Sequence, residues 1–266
     1  MSILQAIILG LIQGLTEFIP VSSSGHLVIA HEFMGVTANG LAFDVALHIG
    51  TLLALLIYFH KDIWQITKAV FVKSEQTKLA YMLLIATIPA VIVGILLESA
   101  AESAFRSVRL VAVNFIVVSF LMLGAEWWYK NKVPKKTELN NVKPKQAIAM
   151  GLAQAAAIIP GISRSGSTIL TGLFAGLDRV AATRFSFLLG IPITFGAILK
   201  VLSEGSTLQT ITNEKQIFAV GITTAFISGL FAIVFMLRYL AKHGLNIFAY
   251  YRFAVGVGIL LLVLVR

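Results

Sequence analysis

The sequence predicts an all-α polytopic membrane protein, with six transmembrane helices plus two re-entrant helix-loop-helix pairs in an inverted-topology repeat. Three observations carry this. The chain has 266 residues, 58% hydrophobic and only 12% charged, with a mean hydropathy of +0.90, against about 25% charged residues in an average soluble domain. Apolar runs near the ~20 residues needed to cross a bilayer as a helix recur along the whole length. Finally, the chain resembles itself when slid by 141 residues: Ala6, Ile7, Gly10, Leu11, Gln13, Ser22, Ser24, Gly25 and Gly35 fall on Ala147, Ile148, Gly151, Leu152, Gln154, Ser163, Ser165, Gly166 and Gly176. Matches among Ala, Ile and Leu come easily in such a composition. Those at Gln13 and at Ser-x-Ser-Gly do not.

From Ile3 to Pro20 the chain is helical in character but short, with Gln5, Gln13, Thr16 and Glu17 along it, and it stops at a Pro followed by three Ser and a Gly. A carboxylate deep in lipid costs at least ~2.5 kcal/mol, so Glu17 must face protein or water. A re-entrant helix is therefore expected, with Leu27 to Met34 as its returning arm. No Lys or Arg precedes the apolar run and no cleavage site follows it, so it is read as part of the mature protein and not as a signal peptide.

Three spans follow, at Leu41 to Phe59, Leu79 to Leu97 and Leu110 to Tyr129, with a basic loop from Lys61 to Lys78 and a nearly balanced one carrying Glu98, Glu102, Arg106 and Arg109. The polar stretch Lys130 to Lys145, with Pro134 and Pro144, reads as a linker between halves at about 1–129 and 146–266 of one integral membrane domain. Gln146 to Pro160 and Ser163 to Leu177 repeat the short re-entrant pattern. Spans at Ala182 to Leu202, Ile217 to Leu237 and Ile247 to Val265 complete the second half. One re-entrant pair and three spans per half is an odd number of crossings, so the halves insert in opposite senses.

Charge placement fits that plan. The net charge of +9 sits in short loops, the positive-inside pattern, which excludes a nucleic-acid footprint. With the linker inside, the loops at Lys61 to Lys78, Asp178 to Arg184 and Arg238 to Lys242 are also inside, and those near Glu98 and Glu204 outside. Both termini are then extracytoplasmic. Without Cys there are no disulfides, thiolate metal sites or thiol nucleophiles.

Chemistry concentrates in two polar stretches, Gln13 to His26 (QGLTEFIPVSSSGH) and Pro160 to Thr168 (PGISRSGST). In the second, Ser163, Ser165, Ser167 and Thr168 stand with Arg164 at the start of a helix. Unpaired N–H groups and the helix dipole attract anions there, and the guanidinium fork suits phosphate oxygens. In the first, Gln13 and Glu17 are four apart on one helix face, and oxygen ligands of this kind suit magnesium or calcium. Ser22, Ser23, Ser24 and His26 add hydroxyls and an imidazole. Asp44 and His48, also four apart, read as an interhelical bond or outer support, while Asn114, Glu126 and Tyr250 to Arg252 read as packing and interface anchors.

QGLTEFIPVSSSGHL and PGISRSGSTI, with RFSFLLGIP at Arg184 to Pro192 and YYRF at Tyr250 to Phe253, closely resemble the bacitracin-resistance type of undecaprenyl-diphosphate phosphatase over nearly the whole chain. The resemblance implies six spans with two re-entrant pairs in the bacterial plasma (inner) membrane, a site opening extracytoplasmically, and hydrolysis of a C55 isoprenoid diphosphate to the monophosphate and inorganic phosphate. That activity regenerates the cell-wall lipid carrier and gives bacitracin resistance. By the same resemblance the acidic motif falls on Gln13 and Glu17, the serine and histidine on Ser23 and His26, and the arginine loop on Ser163, Arg164, Ser165 and Thr168. The Gln at position 13 removes one carboxylate, so Gln13 ligates a divalent cation through its carbonyl or holds a water.

The expected mechanism has Ser22, Ser24, Ser163, Arg164, Ser165 and Thr168 holding phosphate and a cation near Glu17 and Gln13. His26 is favoured as nucleophile because neutral imidazole attacks without help near pH 7, whereas Ser23 needs a base; water activated by His26 is the third route. The expected partners are a polyprenyl diphosphate and membrane lipids, with no nucleic acid and room for a homodimer. A transporter or lipid flippase on the same inverted repeat is the rival class.

Overall fold

The computed structural model describes residues 1–36, 40–97, 107–132, 137–203 and 205–265. The expectations placed on Glu98, Glu102, Arg106, Pro134 and Glu204 lie outside them. The described residues form twelve α-helices and one 3-10 turn. These are α1 (Ile3–Phe18), α2 (Ser23–Met34), α3 (Gly40–Tyr58), α4 (His60–Phe71), α5 (Thr77–Leu96), α6 (Val108–Lys132), the turn Leu139–Asn141, α7 (Pro144–Ala156), α8 (Arg164–Phe174), α9 (Arg179–Ser203), α10 (Gly205–Asn213), α11 (Lys215–Leu240) and α12 (Asn246–Val265). Five of them (α5, α6, α9, α11 and α12) are long and apolar enough to cross a bilayer, and α3 with α4 makes a sixth crossing if that pair is one broken span. The chain is an all-helical, multi-pass membrane protein.

One expected loop is helical instead. Most of Lys61 to Lys78 is α4, bent by 81° from α3 at Phe59. Asp62 in its first turn and Lys68 in its last complement the helix dipole, and Ile63 and Ile66 pack against the core. Charge alone read as loop; the apolar spacing beneath it was enough for a helix.

Local signals set the ends of the short helices, and they recur at the 141-residue offset. Ser2 N–H donates to Gln5 Oε1 at 2.8 Å, and Lys143 N–H donates to Gln146 Oε1 at 2.8 Å. Gln5 Nε2 donates to the Met34 carbonyl at 3.5 Å, as Gln146 Nε2 does to that of Ala175 at 2.9 Å. Ser22 and Ser163 are the only non-glycine residues with positive φ among those described, at 77° and 76°. Each caps its helix by accepting an N–H, from Gly25 at 3.3 Å and from Gly166 at 3.0 Å.

α1 packs chiefly on α11 and α7 on α5, so each of these two short helices lies against a helix distant in sequence. Small residues permit the approach. A Cβ on Gly10 would lie 2.6 Å from the Gly221 carbonyl, and one on Gly14 only 1.9 Å from Ser228 Oγ. Similarly, a Cβ on Gly151 would lie 2.3 Å from the Ala86 carbonyl. This packing brings the ends of α1 and α7, and the serine turns that follow them, to one shared cavity.

Candidate active site

The two serine turns face one cavity of about 200 Å³, lined by Glu17, Ser22, Ser23, Ser24, His48, Ser163, Arg164 and Thr194 with an apolar wall of Val45, Ala157, Ile193, Ala197 and Ile198. The N-termini of α2 and α8 both open onto it. Their unpaired N–H groups and the positive ends of their dipoles favour an anion there. The positive φ at Ser22 and Ser163 is a strained conformation for a residue with a side chain, worth about 1–3 kcal/mol. It turns the chain sharply enough for each helix to start directly at the cavity.

Glu17 is the hub. Arg164 Nη2 lies 2.6 Å from its Oε1, a buried ion pair between α8 and α1. Its Oε2 accepts from Ser23 Oγ at 2.5 Å and from Gln13 Nε2 at 3.0 Å. His48 Nδ1 donates to the Asp44 carbonyl at 2.8 Å, and this turns Nε2 toward Glu17 Oε2, 3.7 Å away. Asp44 itself holds His31 at 2.7 Å. Buried polar atoms are normally paired, yet Arg164 Nη1 and Gln13 Oε1 have no partner among the described residues. Arg164 can fill its place only because residue 190 is glycine: a Cβ there would sit 1.3 Å from Nη1.

His26 stands apart from the cavity lining. Its Nδ1 faces the Ser22 carbonyl at 2.7 Å, and since a carbonyl only accepts, Nδ1 carries the proton. Nε2 is engaged by the Tyr251 hydroxyl at 2.8 Å, with the two rings stacked at 5.7 Å. Both ring nitrogens are thus committed to holding the first serine turn. Ser165 and Thr168 are buried behind the second turn rather than on the cavity. Ser165 Oγ is 3.5 Å from Ser163 Oγ, and Thr168 Oγ1 bonds Ser186 Oγ at 2.6 Å and the Arg164 carbonyl at 2.8 Å.

Arg252 is more than the interface anchor the sequence suggested. It is the largest fully buried side chain among the described residues. Its guanidinium donates to the Pro20 carbonyl at 3.5 Å, to Ile162 at 3.4 Å, to Asn114 at 3.3 Å and to Gly161, and it rests over the Phe115 ring at 4.8 Å. One residue of α12 therefore ties the loop after α1 to the loop before α8. Asn114 adds a bond to the Pro160 carbonyl at 2.8 Å. An Arg inside an otherwise apolar run is a signal the sequence did offer. Glu126 is likewise internal, paired with Arg179 at 2.5 Å and accepting the Leu245 N–H.

Comparison with known proteins gives a consistent result. The chain is 42% identical to the undecaprenyl-diphosphatase of Rubrobacter xylanophilus, covering 96% of each chain. It is 43% identical to that of Thermodesulfovibrio yellowstonii, covering 98% of each, and 42% identical to that of Caldicellulosiruptor bescii, covering 100% of this chain and 99% of the relative. The sequence model of the family described as bacitracin resistance protein BacA matches residues 6–258. With that match and full-length relatives above 40% identity, the chain belongs to the bacitracin resistance protein BacA family.

Proposed function

We propose that this protein is an undecaprenyl-diphosphatase that hydrolyses the C55 isoprenoid diphosphate to the monophosphate and inorganic phosphate. The observation that carries the reading is the meeting of Glu17, Ser23 and Arg164 at one cavity between two helix N-termini. Phosphoryl transfer needs little beyond positioning and charge stabilisation. The terminal phosphate takes up the Arg164 guanidinium and the N–H groups of the two turns. Ser23 Oγ attacks phosphorus, its proton passes to Glu17 Oε2, and the bond from phosphorus to the bridging oxygen breaks to release the prenyl monophosphate. Water then hydrolyses the phosphoserine and releases inorganic phosphate. What favours Ser23 over His26, the residue preferred from sequence, is the 2.5 Å bond to Glu17 and the double engagement of the imidazole.

A hard divalent cation, magnesium or calcium, is part of this reading, and Glu17 and Gln13 are the residues that would hold it. Among the described residues no group of three or more His, Cys, Asp and Glu forms a metal cluster, but Glu17 and the unpartnered Gln13 Oε1 offer a carboxylate and a carbonyl. The ion would neutralise phosphate charge.

We place the protein in the bacterial plasma membrane with two inverted halves, α1–α2 and α7–α8 being the re-entrant pairs and the cavity opening extracytoplasmically. Recurrence of caps and bonds at the 141-residue offset supports the repeat, and the basic loops support the orientation. Phosphate release from a prenyl diphosphate by purified protein, with and without chelator, tests the activity. Movement of the lipid without phosphate release would point to the flippase reading instead.

A further inference from the structure

α11 and the turn that follows it carry a second feature. Phe231, Phe235, Tyr239 and His243 stand four apart and stack in a continuous ladder. Their centroid separations are 6.3, 5.5 and 4.6 Å, with interplanar angles of 9°, 28° and 20°. Phe248 of α12 braces Tyr239 edge-on at 5.3 Å. The ladder borders a groove of about 320 Å³, which Val234 and Arg238 also line. Phe231, Phe235 and Arg238 follow the helical spacing of one face of α11, and Lys242 stands in the turn just beyond its last residue, Leu240, so the stripe changes from aromatic to basic at the end of the helix. Among the described residues neither Arg238 nor Lys242 forms an ion pair with a carboxylate.

An exposed aromatic stripe alone is what any lipid-facing helix shows. Here a groove, a stacked aromatic wall and two cations without a carboxylate partner among the described residues come together at the end of a helix long and apolar enough to cross a bilayer. We propose that this groove is a binding site for an anionic phospholipid, with an acyl chain along the Phe231–Phe235–Tyr239 ladder and the headgroup phosphate on Arg238 and Lys242. Charge complementarity selects a lipid with net negative charge over a zwitterionic one. The site is separate from the serine turns, since none of its residues lines the catalytic cavity.

The test is native mass spectrometry of protein taken from vesicles of equal phosphatidylglycerol and phosphatidylcholine. Wild type is expected to retain phosphatidylglycerol in preference, by about fivefold for each basic residue engaged. Arg238→Gln with Lys242→Gln should abolish the preference while leaving phosphate release in detergent unchanged. Phe235→Ala, with both charges intact, should cut total lipid retention. Equal retention of the two lipids by wild type would overturn the proposal. So would an unchanged preference in the double variant, retention unaffected by Phe235→Ala, or occupation by the prenyl monophosphate product.

Discussion

Arg164 Nη2 and Glu17 Oε1 lie 2.6 Å apart, joining the first residue of α8 to the last turn of α1 across 147 positions of sequence. Each serine turn thus brings what the other lacks, since at the 141-residue offset Ile158 falls on the place of Glu17 and Ser23 on that of Arg164. Arg164→Lys keeps the charge but loses the planar fork and Nη1. Phosphate release from a prenyl diphosphate should fall about 10²-fold, with helical content by circular dichroism unchanged. A lysine variant working at the wild-type rate would mean that a point charge suffices.

The nucleophile can be read directly. Acid quenching during turnover, followed by peptide mass spectrometry, is expected to find phosphate on Ser23. Ser23→Ala should lose about 10³-fold or more in rate, whereas His26→Ala should retain more activity because its loss loosens the turn without removing the attacking atom. Phosphate on His26 would restore the assignment the sequence favoured.

Gly190→Ala tests the space behind the guanidinium. The added methyl would overlap Arg164 Nη1, so the fork must leave its place. Activity is predicted to drop at least about tenfold, with a stability loss of roughly 1–3 kcal/mol as for other overpacked sites. Unchanged activity on titrating substrate would show that Arg164 reaches the phosphate from another position.

Arg252→Met removes the donors that bind the Gly161, Ile162 and Pro20 carbonyls. Each buried carbonyl left unpaired costs about 1–3 kcal/mol, and the serine turns lose their common tether. The melting temperature in detergent should fall, and kcat of the protein still folded should fall with little change in KM. Loss of folded protein alone, at normal kcat, would reduce Arg252 to a packing role.

Gln13→Glu adds a second carboxylate beside Glu17. Without a divalent cation the two acids repel and phosphate release should decline. With one, the magnesium or calcium concentration giving half-maximal activity should drop, by about tenfold. A variant indifferent to both cations and chelator would remove the ion from the reaction.

The sequence by itself determined the class of the protein and pointed to the two stretches that line its candidate site. Composition and run length set the membrane fold, because a helix is the cheapest way to satisfy backbone groups in lipid. The polar interruptions at Gln13 to His26 and Pro160 to Thr168 marked the chemistry because polar groups at membrane depth are expensive. The 141-residue offset also announced where the structure repeats its caps. What periodicity could not tell was which polar side chains converge. Only tertiary packing placed Arg164 on Glu17, turned His26 toward Tyr251 and away from the cavity, moved Thr168 behind its turn, and drew Arg252 in from the far end of the chain. The physical reason is that helix spacing fixes the face a residue occupies along its own axis, whereas the partner on that face is chosen by how α1, α8 and α12 pack together. Gly190 shows the limit most plainly: nothing local in α9 requires a glycine there, and the need appears only once the Arg164 side chain lies against it.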